Sequence, residues 1–102
     1  MSIEKKYLKS KEVCKVTFRV PKASVGVAEK VSLVGEFNNW DSSIEVMQAL
    51  KDGSFKTTID LDSGKEYQFR YLVDGNLWIN DELADKFVPS GVGADMNSVI
   101  VL

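Results

Sequence analysis

With no histidine in this sequence, carboxylates are its foremost candidates for acid–base catalysis. Ser-His-Asp and Cys-His nucleophiles, an imidazole base and histidine-ligated metals are therefore excluded. Cys14 is the single cysteine, so neither a thiolate cage nor an internal disulfide can form. No glycine-rich phosphate loop opens a helix. Asp81, Glu82 and Asp85 cluster after Trp78, and Asp74 lies shortly before it. Two carboxylates held roughly 5–10 Å apart can hydrolyse a glycosidic bond. A chain of 102 residues leaves little room for the cleft that this needs. The carboxylates also lack the spacing of an EF-hand calcium loop. Turn chemistry is the simpler account, with Asp and Asn side chains bonding nearby backbone amides. The expectation is a domain with no catalysis, metal or cofactor of its own.

Binding chemistry is better represented. A tryptophan at the surface can lie flat on the C–H face of a pyranose ring. Guanidinium and amide groups can hold the hydroxyls at the rim. Trp40 follows Phe37-Asn38-Asn39, and Trp78 sits between Leu77 and Ile79. Arg70 falls on the face of its strand opposite an aromatic ladder, and Asn97 stands at the entry to the last strand. Each has a plain structural reading beside the binding one: the tryptophans as core, Asn38 and Asn39 as turn formers, Arg70 as the solvation of an exposed sheet. Composition and spacing leave both open.

The elements that must position these residues read as strands. Cys14-Lys15-Val16-Thr17-Phe18-Arg19-Val20 alternates apolar and polar, the period of a half-buried strand, and Pro21 ends it. Lys30–Gly35 is a second strand, and Glu45–Leu50 reads weakly as another. Asp52-Gly53 turns the chain into Phe55–Leu61, and Asp62-Ser63-Gly64-Lys65 turns it again. Tyr67–Val73 is the strongest strand, with Tyr67, Phe69, Tyr71 and Val73 on one face and Gln68, Arg70 and Leu72 on the other. Asp74-Gly75 leads to a short strand around Leu77–Ile79. Residues 80–95 are polar and read as a loop with one helical turn near Asp81–Lys86. A terminal strand runs from Asn97 or Ser98 to Leu102. No segment carries the apolar period of a long helix. About seven short strands in roughly 100 residues predict an all-β, immunoglobulin-like sandwich.

Bulk properties agree. The hydrophobic fraction of 44% supports one core, and a net charge of −2 argues against nucleic acid as a partner. Lys5, Lys6, Lys9 and Lys11 against Glu4 and Glu12 make residues 1–12 a basic segment, expected to be a solvated, partly ordered tail. A membrane or nucleic-acid role for these lysines is the lesser reading. Cys14 lies in an apolar run, where a buried thiol is a small hydrophobe. There is no N-terminal signal-like apolar stretch, transmembrane-length segment or Asn-x-Ser/Thr acceptor, so the expected location is cytoplasmic.

Val31-Ser32-Leu33-Val34-Gly35-Glu36-Phe37-Asn38-Asn39-Trp40 resembles the opening motif of carbohydrate-binding module family 48. That family includes the glycogen-binding domain of AMP-activated protein kinase β subunits. It also includes the N-terminal early-set domains of isoamylases and glycogen branching enzymes. Tyr67-Gln68-Phe69-Arg70-Tyr71-Leu72-Val73-Asp74-Gly75, followed by Trp78, Asn80-Asp81 and Ala84-Asp85, is similar to its second motif. Asn97-Ser98-Val99-Ile100-Val101 resembles its closing strand. Phe55–Leu61 and Gly64 fit the hairpin between the motifs, so the likeness covers about residues 13–102.

The resemblance implies an early-set immunoglobulin-like sandwich that binds α-1,4-glucan (glycogen, starch or maltooligosaccharide) without turning it over. It implies Trp40 and Trp78 as the stacking rings, and Arg70 and Asn97 as the groups that meet hydroxyls. Asn39, Val92 and Asp95 are implied as additional contacts, the last two from a loop over the sugar. Two departures from the kinase pattern stand out: Leu77 is an extra residue before Trp78, and the loop from Val88 to Met96 is longer. A one-residue shift in a strand reverses the face a side chain occupies, which would turn Trp78 away. The alternative expectation is a protein-interaction or oligomerisation module of the same fold that has lost sugar binding. Its partner would be a glucan-processing enzyme or a second copy of the chain, since exposed Trp and Arg also suit protein interfaces.

Overall fold

In the computed structural model, which describes residues 1–9, 11–91 and 93–102, nine strands form two antiparallel sheets packed as an immunoglobulin-like sandwich. The strands are β1 (Ser2–Tyr7), β2 (Val13–Val20), β3 (Val31–Gly35), β4 (Gln48–Ala49), β5 (Phe55–Asp62), β6 (Glu66–Val73), β7 (Leu77–Ile79), β8 (Lys86–Pro89) and β9 (Met96–Val101). One sheet runs β1-β2-β5-β4. The other runs β3-β6-β9-β8, with β7 paired to β6 as well. The only helical pieces among the described residues are one turn, α1 (Lys22–Val25), and a 3₁₀ turn at Glu36–Asn38.

The alternation expected in β2 is met: Cys14, Val16, Phe18 and Val20 are buried while Lys15 and Arg19 are exposed. From the facing sheet, Phe69, Tyr71 and Val73 of β6 enter the same core with Leu33 and Ile100. Phe69 joins the halves, with its ring 5.3 Å from Phe18 and 5.8 Å from Tyr71, both edge-on. Because β6 alternates, filling the core with Phe69 and Tyr71 turns Gln68, Arg70 and Leu72 to the outer face. That outer face carries the candidate site.

Three sequence expectations are corrected. The basic segment is not simply a tail: Ser2–Tyr7 pairs with β2 from Ser2 opposite Arg19 to Tyr7 opposite Cys14. Met1 and Ile3 pack on the core, and Lys5 donates to Asp85 Oδ2 at 2.7 Å and to the Val101 carbonyl at 3.0 Å. An edge strand draws its stability from the ladder, and charged side chains along it are how sheets keep their edges soluble. Second, the region expected as one loop contains β8, which pairs with β9. In place of a helical turn near Asp81–Lys86 there is a tight turn, closed by Ala84 N–H to the Asp81 carbonyl at 3.1 Å. Third, the weak strand over Glu45–Leu50 shrinks to Gln48–Ala49, because the segment crosses between sheets. Val46 bridges to Ser32 of β3, and two residues later Gln48 pairs with Lys56 of β5.

Candidate functional site

The first motif builds a sharp turn. Gly35 ends β3 where a Cβ would stand 2.5 Å from the Gln68 carbonyl oxygen and 2.8 Å from Phe69 Cβ, so only glycine fits. Asn38 is buried and spends both ends of its amide on the turn. Its Oδ1 accepts from Gly35 N–H at 3.0 Å, and its Nδ2 donates to the Leu33 carbonyl at 2.9 Å. Asn39 and Trp40 then take left-handed backbone angles, φ 55° and 58°. Trp40 N–H closes the turn on the Gly35 carbonyl at 2.9 Å. This winding lifts the Trp40 ring to the surface, where the residue is 39% exposed.

The second motif ends in the Asp74-Gly75 hairpin. Both residues have positive φ, 51° and 75°, and with Asn76 they make a three-residue turn, closed by Asn76 N–H on the Val73 carbonyl at 3.2 Å, before Leu77 pairs with Val73. The hairpin sets β7 so that Trp78 lies opposite Leu72, on the same outer face as Arg70. The extra Leu77 does not turn the tryptophan away, and Trp78 is 44% exposed. Beyond β7, Asn80 Oδ1 accepts from Ser98 N–H at 3.0 Å, and its Nδ2 donates to the Met96 carbonyl at 2.9 Å. These bonds pin the end of β7 against the start of β9, which brings Trp78 beside Asn97.

At the centre, Arg70 Nε–H donates to Asn97 Oδ1 at 2.6 Å, and Asn97 Nδ2 donates to Gln68 Oε1 at 2.9 Å. Asn97 is 6% exposed, so its amide is fixed from both sides. Glu36 Oε1 accepts from Gln68 N–H at 2.6 Å, filling the ladder position that β3 gives up beyond Gly35. The far rim comes from the loop between β8 and β9, where Ser90 N–H donates to the Asp95 carbonyl at 3.0 Å.

These groups surround a cavity of about 430 Å³ on the outer face. Trp40, Arg70, Trp78 and Asn97, spread over 58 positions of sequence, all line it, and so does Asp95. Asn39 does not line it; its side chain is exposed beside the turn that it helps to wind. Val92 lies outside the described residues. Glu36, Gln68 and Ser90 also line the cavity and were not singled out in the sequence. The signal for Gln68 was its place two residues before Arg70 on one strand face. Glu36 and Ser90 arrive through turn geometry and carry no signal in the sequence.

Two aromatic faces flank a set of fixed donors, with carboxylates at the edge. Such a surface can cover an apolar ring face while meeting hydroxyls in both senses. Three of the carboxylates outside it, Asp81, Asp74 and Asp85, are occupied by the fold. Asp81 is fully buried and accepts from Tyr71 Oη–H at 2.7 Å and Leu83 N–H at 2.9 Å. Asp74 accepts from Glu29 and Lys30 N–H, each at 2.8 Å. Asp85 accepts from Lys5 and from Val101 N–H, both at 2.7 Å.

Residues 25–101 match the family model for the glycogen recognition site of AMP-activated protein kinase. No match was found among curated proteins.

Proposed function

This chain belongs to the family of the glycogen recognition site of AMP-activated protein kinase, and from that membership we propose that it binds α-1,4-glucan on the outer face of its five-stranded sheet, without cleaving it. Family membership makes it a glycogen-recognition module. The finer reading is that Trp40 and Trp78 stack on glucose rings while Arg70 and Asn97 bond their hydroxyls. One observation carries it: four residues far apart in sequence line one surface cavity, with both indoles exposed at its walls. Aromatic side chains are ordinarily drawn into a core; two left at one cavity mark a binding face.

A shallow platform recovers little beyond the ordering cost of binding, so affinity for a short maltooligosaccharide is expected in the micromolar to millimolar range, about 10⁻⁵–10⁻³ M. Several sites along one polymer raise the effective affinity. The test is a titration of nitrogen-15-labelled protein with maltoheptaose, following both indole N–H signals and the backbone amides of Arg70 and Asn97. Movement of all four supports the reading. No movement at millimolar sugar overturns it, and concentration-dependent self-association in its place would favour a protein-interaction surface.

A further inference from the structure

We propose that Gln68 is the positioning residue of this platform, orienting the Asn97 amide and through it the Arg70 guanidinium; the proposal rests on the glucan reading above. An asparagine amide can turn either its oxygen or its nitrogen toward a neighbour. Arg70 Nε–H only donates, so the pair forms only when the oxygen of Asn97 faces Arg70. Gln68 enforces that choice by accepting from the Asn97 nitrogen with Oε1 at 2.9 Å. The Gln68 amide is thereby oriented too, with its own nitrogen left as a donor.

The result is a fixed sequence of donors and acceptors across two strands, from Gln68 through Asn97 to Arg70. With Nε engaged, the two terminal nitrogens of Arg70 remain as a planar pair of donors. That geometry fits two adjacent hydroxyls of one pyranose ring better than it fits a single one. Gln68 also anchors the first aromatic wall. Its backbone N–H is held by Glu36, which stands at the root of the turn that raises Trp40. One residue therefore links the turn of one ring to the hydrogen-bonding centre of the site, by its main chain on one side and its side chain on the other.

Two substitutions separate this role from simple packing. Gln68→Met keeps the length and removes the acceptor; Gln68→Glu keeps the acceptor. In sugar-free protein, exchange of the Arg70 Nε–H with solvent is expected to quicken by about tenfold in Gln68→Met and to stay slow in Gln68→Glu. Maltoheptaose affinity is expected to fall about three- to tenfold in Gln68→Met and to stay within about twofold of wild type in Gln68→Glu. Both indole signals should still shift on saturation, since the rings are not touched. Gln68→Lys, which only donates and cannot hold the Asn97 nitrogen, should behave as Gln68→Met does and serves if that variant fails to fold. Unchanged exchange and affinity in Gln68→Met, or equal losses in Gln68→Met and Gln68→Glu, would overturn the proposal. Absence of sugar binding by the wild type would overturn the glucan reading instead, and the sugar-free exchange rates would still decide the role of Gln68.

Discussion

Trp78 stands directly across the ladder from Leu72, and this register decides the composition of the site. Because Leu72 shares its strand face with Arg70 and Gln68, the ring is delivered to the same surface. The residue added before it, Leu77, is taken up opposite Val73 at the end of the hairpin and is itself 52% exposed. Under the glucan-binding proposal, a ring presented this way is expected to contribute to binding more than to folding. Trp78→Ala and Trp40→Ala are each expected to weaken maltoheptaose binding by about tenfold or more. Each should shift unfolding free energy by about 1 kcal/mol or less. Calorimetric titration beside urea unfolding separates the two effects, and a variant that unfolds while binding normally when folded would contradict the assignment.

Gly35 is required by crowding rather than by dihedral angle, since its φ of −169° is extended backbone open to any residue. Gly35→Ala drives a methyl against the Gln68 carbonyl and Phe69 Cβ. The expected loss is about 2–3 kcal/mol of stability, read from the urea midpoint. Sugar affinity should fall as well, because the Trp40 turn and the Gln68 strand must move apart.

Residues 1–8 are expected to be indispensable for full stability. Removing them strips the ladder from β2 and uncovers core surface now beneath Met1 and Ile3. The expected loss is about 2 kcal/mol or more, measured by thermal unfolding of the shortened chain. A melting curve unchanged by the truncation would show that β1 adds nothing.

The contact between β1 and the opposite sheet also predicts an acid dependence. Burial opposes ionisation of Asp85, but the Lys5 ammonium and the Val101 N–H outweigh it and hold its carboxyl below the ordinary 3.8. A depressed folded value means the stabilisation is complete above the unfolded pKa and is lost as pH falls below about 4. Lys5→Met should flatten that part of the stability–pH curve. The amplitude is about 1 kcal/mol or less, because the pair is partly solvated.

At the alkaline end, Tyr71 is the group to follow. Burial, and then the charge of Asp81 and the bond to it, push its hydroxyl well above the ordinary 10.0. A raised folded value means the stabilisation is complete below pH 10 and declines as pH rises further. Ultraviolet titration should show Tyr71 ionising only above pH 10, together with loss of structure. Tyr71→Phe leaves the Asp81 carboxylate short of a partner and should cost about 1–3 kcal/mol at neutral pH.

Much of this architecture was legible because it is written in alternation. Cys14 to Val20 and Tyr67 to Val73 each separate core from surface by a period of two, so the outward direction of Arg70 followed from the inward direction of Phe69 and Tyr71. Segments whose pairing is dictated from outside themselves were not legible. Ser2–Tyr7 has no apolar rhythm and becomes a strand because β2 presents an open ladder. Lys86–Pro89 is short, ends in proline and is recruited by β9. Along the cavity, the four residues carried by the two motifs and the closing strand lie together, while Glu36 and Ser90 join them without having been singled out. Their positions depend on where a turn lands against another strand, which no local pattern encodes.

Trp40 holds a left-handed backbone, φ 58°, that a bulky L-residue occupies at a penalty of about 1–2 kcal/mol. Glycine would sit there without that strain. If Trp40 stacks on sugar as proposed, stability and ligand presentation pull in opposite directions at position 40. A library of this domain sorted for heat resistance alone should drift toward glycine or asparagine at that site and lose its first aromatic wall. The same library sorted on immobilised glycogen should keep the indole and accept the lower melting temperature. The two selections diverging at this one codon would locate the trade-off between durability and recognition in a single backbone angle.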